Sequence, residues 1–109
     1  MCNIQAKYFA KNGSSDWGNC SAVQNDTINA EAVVTFSGAE IGKQYKCELK
    51  IKLPIEHGGA EFSFFTPLRT VYGTETFTAE AFKKPVPTGN YQMVWVTVYD
   101  ENGNTVCQG

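Results

Sequence analysis

A chain of 109 residues has room for a single domain, 1–109, and none for a second with its own core. Hydrophobic residues are 42% of it and charged residues 18%, which excludes a charge-rich disordered chain. With 9 basic against 11 acidic residues the net charge is −2, so nothing builds a basic face for nucleic acid. No apolar run approaches the roughly 20 residues that span a bilayer.

Residues 3–9 form a first candidate strand, with Cys2 sharing parity with Ile4, Ala6 and Tyr8, followed by a loop rich in Gly, Ser, Asn and Asp at 12–19. Ile28, Ala30, Ala32, Val34 and Phe36 then alternate with Asn29, Glu31 and Thr35, the period of a strand with one buried face. The clearest segment is 45–53 (YKCELKIKL), where apolar and charged residues alternate throughout until Pro54 ends the strand. His57-Gly58-Gly59 reads as a loop, and 60–66, 68–72 and 75–82 are weaker candidate strands. Pro85-Val86-Pro87-Thr88-Gly89-Asn90 reads as an extended connection into a turn. The stretch 91–99 (YQMVWVTVY) is aromatic and β-branched on nearly every side, as a central strand is. Asn102-Gly103 marks the tip of a hairpin, from which 105–107 returns as the last strand. No window has convincing helical spacing. About seven short strands predict an all-β chain, an antiparallel two-sheet sandwich of immunoglobulin-like kind.

The four cysteines, Cys2, Cys20, Cys47 and Cys107, form no C-x-x-C pair, and His57 is the one imidazole, so a zinc site is not expected. An even count in a small domain predicts two disulfides and an oxidising compartment; the alternative is a cytosolic protein with four inert buried thiols. A first and a last strand are commonly neighbours in a sandwich. That makes Cys2–Cys107 a natural staple and leaves Cys20 for Cys47, although four cysteines allow three pairings and the sequence does not choose among them. Asn12, Asn19 and Asn25 each begin a glycosylation acceptor pattern, which points towards secretion. The opening Met1-Cys2-Asn3 has neither a charged start nor an apolar run, so the chain reads as a mature domain with its leader removed and Met1 as an expression remnant.

Catalysis is not expected. No G-x-S-x-G turn or Gly-rich phosphate loop is present, and His57 reads as an exposed turn histidine without a nucleophile. Glu31, Glu48, Glu61 and Glu80 fall on the wet phases of strands and form no metal-ligand cluster. No metal and no cofactor is therefore expected. The aromatic content points elsewhere: seven Phe, five Tyr and two Trp make up 13% of the chain. Phe62, Phe64 and Phe65 lie close together, and Met93 to Val96 are consecutive apolar positions. Because alternate strand residues face opposite ways, each segment has a second apolar face, covered by another layer or bordering an apolar groove.

Tyr72-Gly73-Thr74-Glu75-Thr76-Phe77-Thr78, Pro85-Val86-Pro87-Thr88-Gly89-Asn90-Tyr91 and Val96-Thr97-Val98-Tyr99-Asp100-Glu101-Asn102-Gly103 with Cys107 together resemble the end of the ML lipid-recognition domain. Cys20 followed by residues 27–36 resembles that family's cysteine and its following alternating strand. The resemblance covers about half the chain; the family's short-loop cysteine pairs are absent and Cys47 has no obvious counterpart. It implies a secreted, non-enzymatic sandwich that holds a lipid or other apolar small molecule between two sheets splayed at one edge. A protein receptor is a further partner, and Cys2 and Cys107 match the family's link between first and last strands. The ligand-binding residues it implies are inward aromatics and aliphatics: Phe36, Leu49, Ile51, Phe62, Phe64, Phe77, Met93 and Trp95. The alternative reading of the same fold is an extracellular immunoglobulin-like module that binds a protein through an edge strand or an aromatic surface patch.

Overall fold

A computed structural model describes residues 2–17 and 19–109, with the backbone alone at 15–17 and 19. Met1 lies outside the described residues. Strand accounts for 67% and no α-helix occurs among the described residues. The strands are β1 (Cys2–Lys11), β2 (Ser14–Trp17), β3 (Asn19–Ala22), β4 (Asp26–Phe36), β5 (Gln44–Lys52), β6 (Glu61–Phe65), β7 (Arg69–Thr70), β8 (Glu75–Val86), β9 (Gly89–Asp100) and β10 (Thr105–Gln108), with one 3₁₀ turn at Ile55–His57. They form two antiparallel sheets packed face to face. One has the order β2-β1-β4-β8; the other has the order β10-β9-β5-β6, with β3 also on β9 and β7 on β5.

The alternating segments behave as their period requires. In β5, Tyr45, Cys47, Leu49 and Ile51 are buried and their neighbours are half-buried. They face Ile28, Ala30, Ala32, Val34 and Phe36 of β4 across one shared core, with Val96 and Val98 of β9 beside them. The rings of Phe36 and Tyr45 lie 4.5 Å apart. The hairpin after β9 forms at Asn102-Gly103: Gly103 takes a φ of 85°, and the Asp100 carboxylate accepts from the Asn104 and Asn102 amides. Those bonds, the Asn104 amide foremost, hold the Asp100 carboxyl below its ordinary value.

Three local features depart from the sequence expectations. The segment 12–19, expected as a loop, instead holds β2 and the start of β3. Asn12 and Gly13, with φ of 49° and 91°, turn β1 back into β2 with Lys11 opposite Ser14. The Asn12 side chain donates to Asp26 Oδ1 at 2.9 Å and accepts from the Thr27 amide at 3.0 Å, pinning this hairpin to β4. Of the three sequon asparagines, Asn12 is thus engaged, Asn25 is exposed, and the Asn19 side chain lies outside the described residues. Second, Cys2, Ile4, Ala6 and Tyr8 do not share one face. A bulge between Ile4 and Ala6 inverts the phase, so Phe9 is buried and the Lys7 ammonium donates to the Val94 carbonyl at 3.0 Å. Third, β8 runs on through Pro85 to Val86. An edge strand tolerates the missing N–H, and Pro85 lies opposite Thr27 at that edge.

Cys2 and Cys107 are bonded, with Cα atoms 5.7 Å apart, tying β1 to β10 and closing one side of the sandwich. The disulfide is consistent with an oxidising location. No helix among the described residues is long and apolar enough to cross a membrane. The second expected bridge does not form: Cys20 and Cys47 remain thiols, both buried. The reason is register. Cys20 lies opposite Tyr91 on one side of β9 and Cys47 opposite Val98 on the other. Seven residues of strand separate those positions by roughly 20 Å, whereas a disulfide needs Cα atoms about 4.4–6.8 Å apart. Burial pushes the Cys47 thiol up to about 11, against weaker opposing effects of Thr66 and Arg69. A group raised this far stays protonated at neutral pH and is a poor nucleophile. Intact-mass analysis after treatment with iodoacetamide at pH 8 is therefore expected to show no adduct on the native protein and two in denaturant without reductant. No adduct in denaturant would contradict the pairing.

Candidate functional site

The two long sides of the sandwich differ. On one, β1 lies against β3, β9 and β10 and carries the disulfide. On the other, the edges β8 and β6 approach without pairing, and between them opens a cleft of about 520 Å³.

The chain builds this cleft from three segments. The first follows β5, where Pro54 stops the strand and the 3₁₀ turn Ile55–His57 begins. The His57 and Gly59 amides donate to the Pro54 carbonyl at 2.9 and 3.0 Å, and Gly58 leaves the turn at a φ of 98°. The second is the start of β9. Gly89 has a φ of 153°, and a Cβ there would stand 2.4 Å from Pro54 Cγ, so the absence of a side chain lets Pro54 seat against β9. The third is a bulge in β8. Ala81 pairs with Ala30 and Lys84 with Ile28, so β8 has one residue more than β4 between those pairs. Phe82 takes the left-handed conformation, φ 60°, which strains a bulky residue by about 1–3 kcal/mol. Its ring meets that of Phe64 on β6, with centroids 4.7 Å apart, and this contact bridges the otherwise open side.

Pro54, Val86 and Tyr91 are buried and form the floor of the cleft. The Tyr91 hydroxyl donates to the Pro87 carbonyl at 2.8 Å, so its polar end is satisfied, and burial raises its pKa. Leu53, Phe64 and Phe82 are half-buried walls, and Phe62, Pro85 and Pro87 form an exposed rim. Besides the Tyr91 hydroxyl, the polar side chains lining the cleft are Lys84 and His57. The His57 Nε2–H donates to the Thr88 carbonyl at 3.1 Å. Such a lining can desolvate apolar surface. Among the described residues no group of three or more His, Cys, Asp or Glu side chains could hold a metal ion.

The eight residues expected to bind ligand fall in four places. Phe62 and Phe64 line the cleft, side by side on the inward face of β6 opposite Ile51 and Leu49. Phe36, Leu49, Ile51 and Met93 are buried in the core, away from the cleft lining; Phe36, at the end of β4, also borders a separate hollow of about 290 Å³ with Ala39, Tyr45 and Val106. Phe77 borders a second hollow of about 380 Å³ farther along the same open side, with the Arg69 guanidinium 4.3 Å above its ring. Trp95 lies opposite Lys50 on the outer face of its sheet, 38% exposed, with the Lys50 ammonium 4.7 Å from its ring. Sequence reasoning missed Leu53 and Pro54 after β5 and the β8 and β9 contributions, Phe82, Lys84 to Pro87 and Tyr91, and set His57 aside as a turn residue. The apolar run Pro85-Val86-Pro87 in a supposed connection was the available signal. Compared with known proteins, the chain matches no family model, no curated protein and no solved structure.

Proposed function

We propose that this is a secreted, non-enzymatic carrier or presenter of a lipid, held in the cleft between β6 and β8. One observation supports this most: a hollow of about 520 Å³, within the roughly 300–1,000 Å³ of small-molecule sites, lined almost wholly by apolar side chains. The location agrees with what the ML resemblance implies, a ligand between sheets that part at one edge. Each methylene moved from water into such a lining contributes about 0.8 kcal/mol. Ten buried methylenes therefore supply about 8 kcal/mol, the order of a micromolar Kd before immobilisation is subtracted. The strained Phe82 bulge fits the same reading, because it holds an aromatic ring at the mouth where a straight edge strand would leave none.

Native mass spectrometry of protein incubated with sodium oleate is expected to show one bound chain, and Phe64→Asp is expected to lower affinity at least tenfold by placing a charge in the wall. No adduct with the wild-type protein would overturn the proposal. A second reading, a protein-interaction module, has one specific observation in its favour. The outer face of the β5–β6–β9 sheet exposes Phe65 (56%) and Trp95 beside Tyr99, interleaved with Lys46 and Lys50.

A further inference from the structure

The cleft has a charge asymmetry that the apolar reading leaves unused. Lys84 lines it from β8, and its ammonium stands 4.7 Å from the Phe82 ring centre and 6.0 Å from that of Phe64. Two aromatic faces thus hold one positive charge above the walls of the mouth. Among the described residues no carboxylate forms an ion pair with Lys84, and none lines the cleft. The acids near this end of the molecule lie outside the cleft lining. Glu56 lines a separate hollow with Lys52 and Asn90, its charge reaching the Tyr91 hydroxyl on the cleft floor, and Glu61 is paired with Lys50. The other polar groups of the lining are committed: the His57 Nε2–H to the Thr88 carbonyl and the Tyr91 hydroxyl to the Pro87 carbonyl.

A positive charge without a counter-ion at the mouth of an apolar cleft complements one class of ligand. We infer that the cleft takes a single-chain lipid with an anionic head group, its chain against Phe64, Phe82 and Val86 and its head at the Lys84 ammonium. This inference rests on the proposal that the cleft binds lipid. The chain supplies most of the affinity, and the head group supplies orientation and selectivity. Because Lys84 is exposed, the charge contribution is that of a surface pair, screened by salt.

The experiment compares sodium oleate with oleyl alcohol, which has the same chain and a neutral head, by isothermal titration at low ionic strength. The wild-type protein is expected to prefer oleate about fivefold, with the preference shrinking as salt is raised. Lys84→Gln is expected to bring the ratio to about one, whereas Lys84→Arg, which keeps the charge, and the remote Lys43→Gln retain it. Acetate at millimolar concentration is expected not to displace oleate, which places the affinity in the chain rather than in a free-anion site. A wild-type ratio near one, or a ratio unchanged in Lys84→Gln, overturns the head-group inference while leaving the lipid cleft intact. Failure to bind either probe overturns the cleft proposal itself.

Discussion

Replacing both Cys2 and Cys107 by serine is expected to lower stability by about 4–5 kcal/mol, the largest effect of any change to this chain that leaves its core untouched. The bond closes a loop of 105 residues, and in the chain-entropy model the stabilisation grows with the logarithm of loop length, reaching about 4.7 kcal/mol near 100 residues. A domain of this size has a total stability of about 5–15 kcal/mol, so the loss is a large fraction of the whole. The corresponding fall in Tm is roughly 20–30 °C. Circular-dichroism melting of the double variant, or of the wild-type protein with reductant, checks this. A fall of less than about 5 °C would show that the β1–β10 contact holds without the bond.

Gly89→Ala is expected to destabilise by about 2–5 kcal/mol and to weaken ligand binding with it. Two effects add. The backbone at φ 153° lies where side-chain-bearing residues are strained, and the new methyl would stand 2.4 and 2.6 Å from Pro54 Cγ and Cβ. Pro54 belongs to the floor of the cleft, so either it shifts or the start of β9 does, and both reshape the site. Gly58→Ala is the matched control. It also has positive φ, but its added methyl meets nothing within 4 Å, so only the conformational effect of about 1 kcal/mol remains. Chemical denaturation of both variants checks the ranking. Equal losses would mean that the Pro54 contact is not what requires glycine at position 89.

Strand positions were legible wherever one face is wet, because alternation in 28–36 and 45–53 fixes phase directly. Legibility failed at bulges. The extra residue near Ile4 inverts the β1 phase, bringing Phe9 and Lys7 inward, and no residue type announces it. The β8 bulge at Phe82 is equally silent, yet it builds the cleft wall. The Asn12-Gly13 turn carried the same signal as Asn102-Gly103, but polar flanks hid the short strands around it. The candidate site was half legible. Phe62 and Phe64 stand out as apolar residues on an edge strand, whereas Phe36, Leu49 and Ile51 look the same in sequence and are plain core. Separating wall from core requires knowing which strands lie at the open edge, a property of sheet order and not of local pattern. The Cys2–Cys107 staple was legible from the strand order, whereas the expected Cys20–Cys47 bridge failed for the same reason, since only the register on β9 shows that the two are out of reach.

The central claim, that an apolar guest sits between β6 and β8, is tested most directly by an NMR titration of the isotopically labelled protein with sodium oleate. The account predicts saturable shifts of Leu53, Phe64, Phe82, Val86 and Tyr91 at one equivalent, with the Trp95 indole and Phe65 on the outer face unmoved. Shifts confined to Trp95 and Phe65, or no saturable shift anywhere, would contradict it.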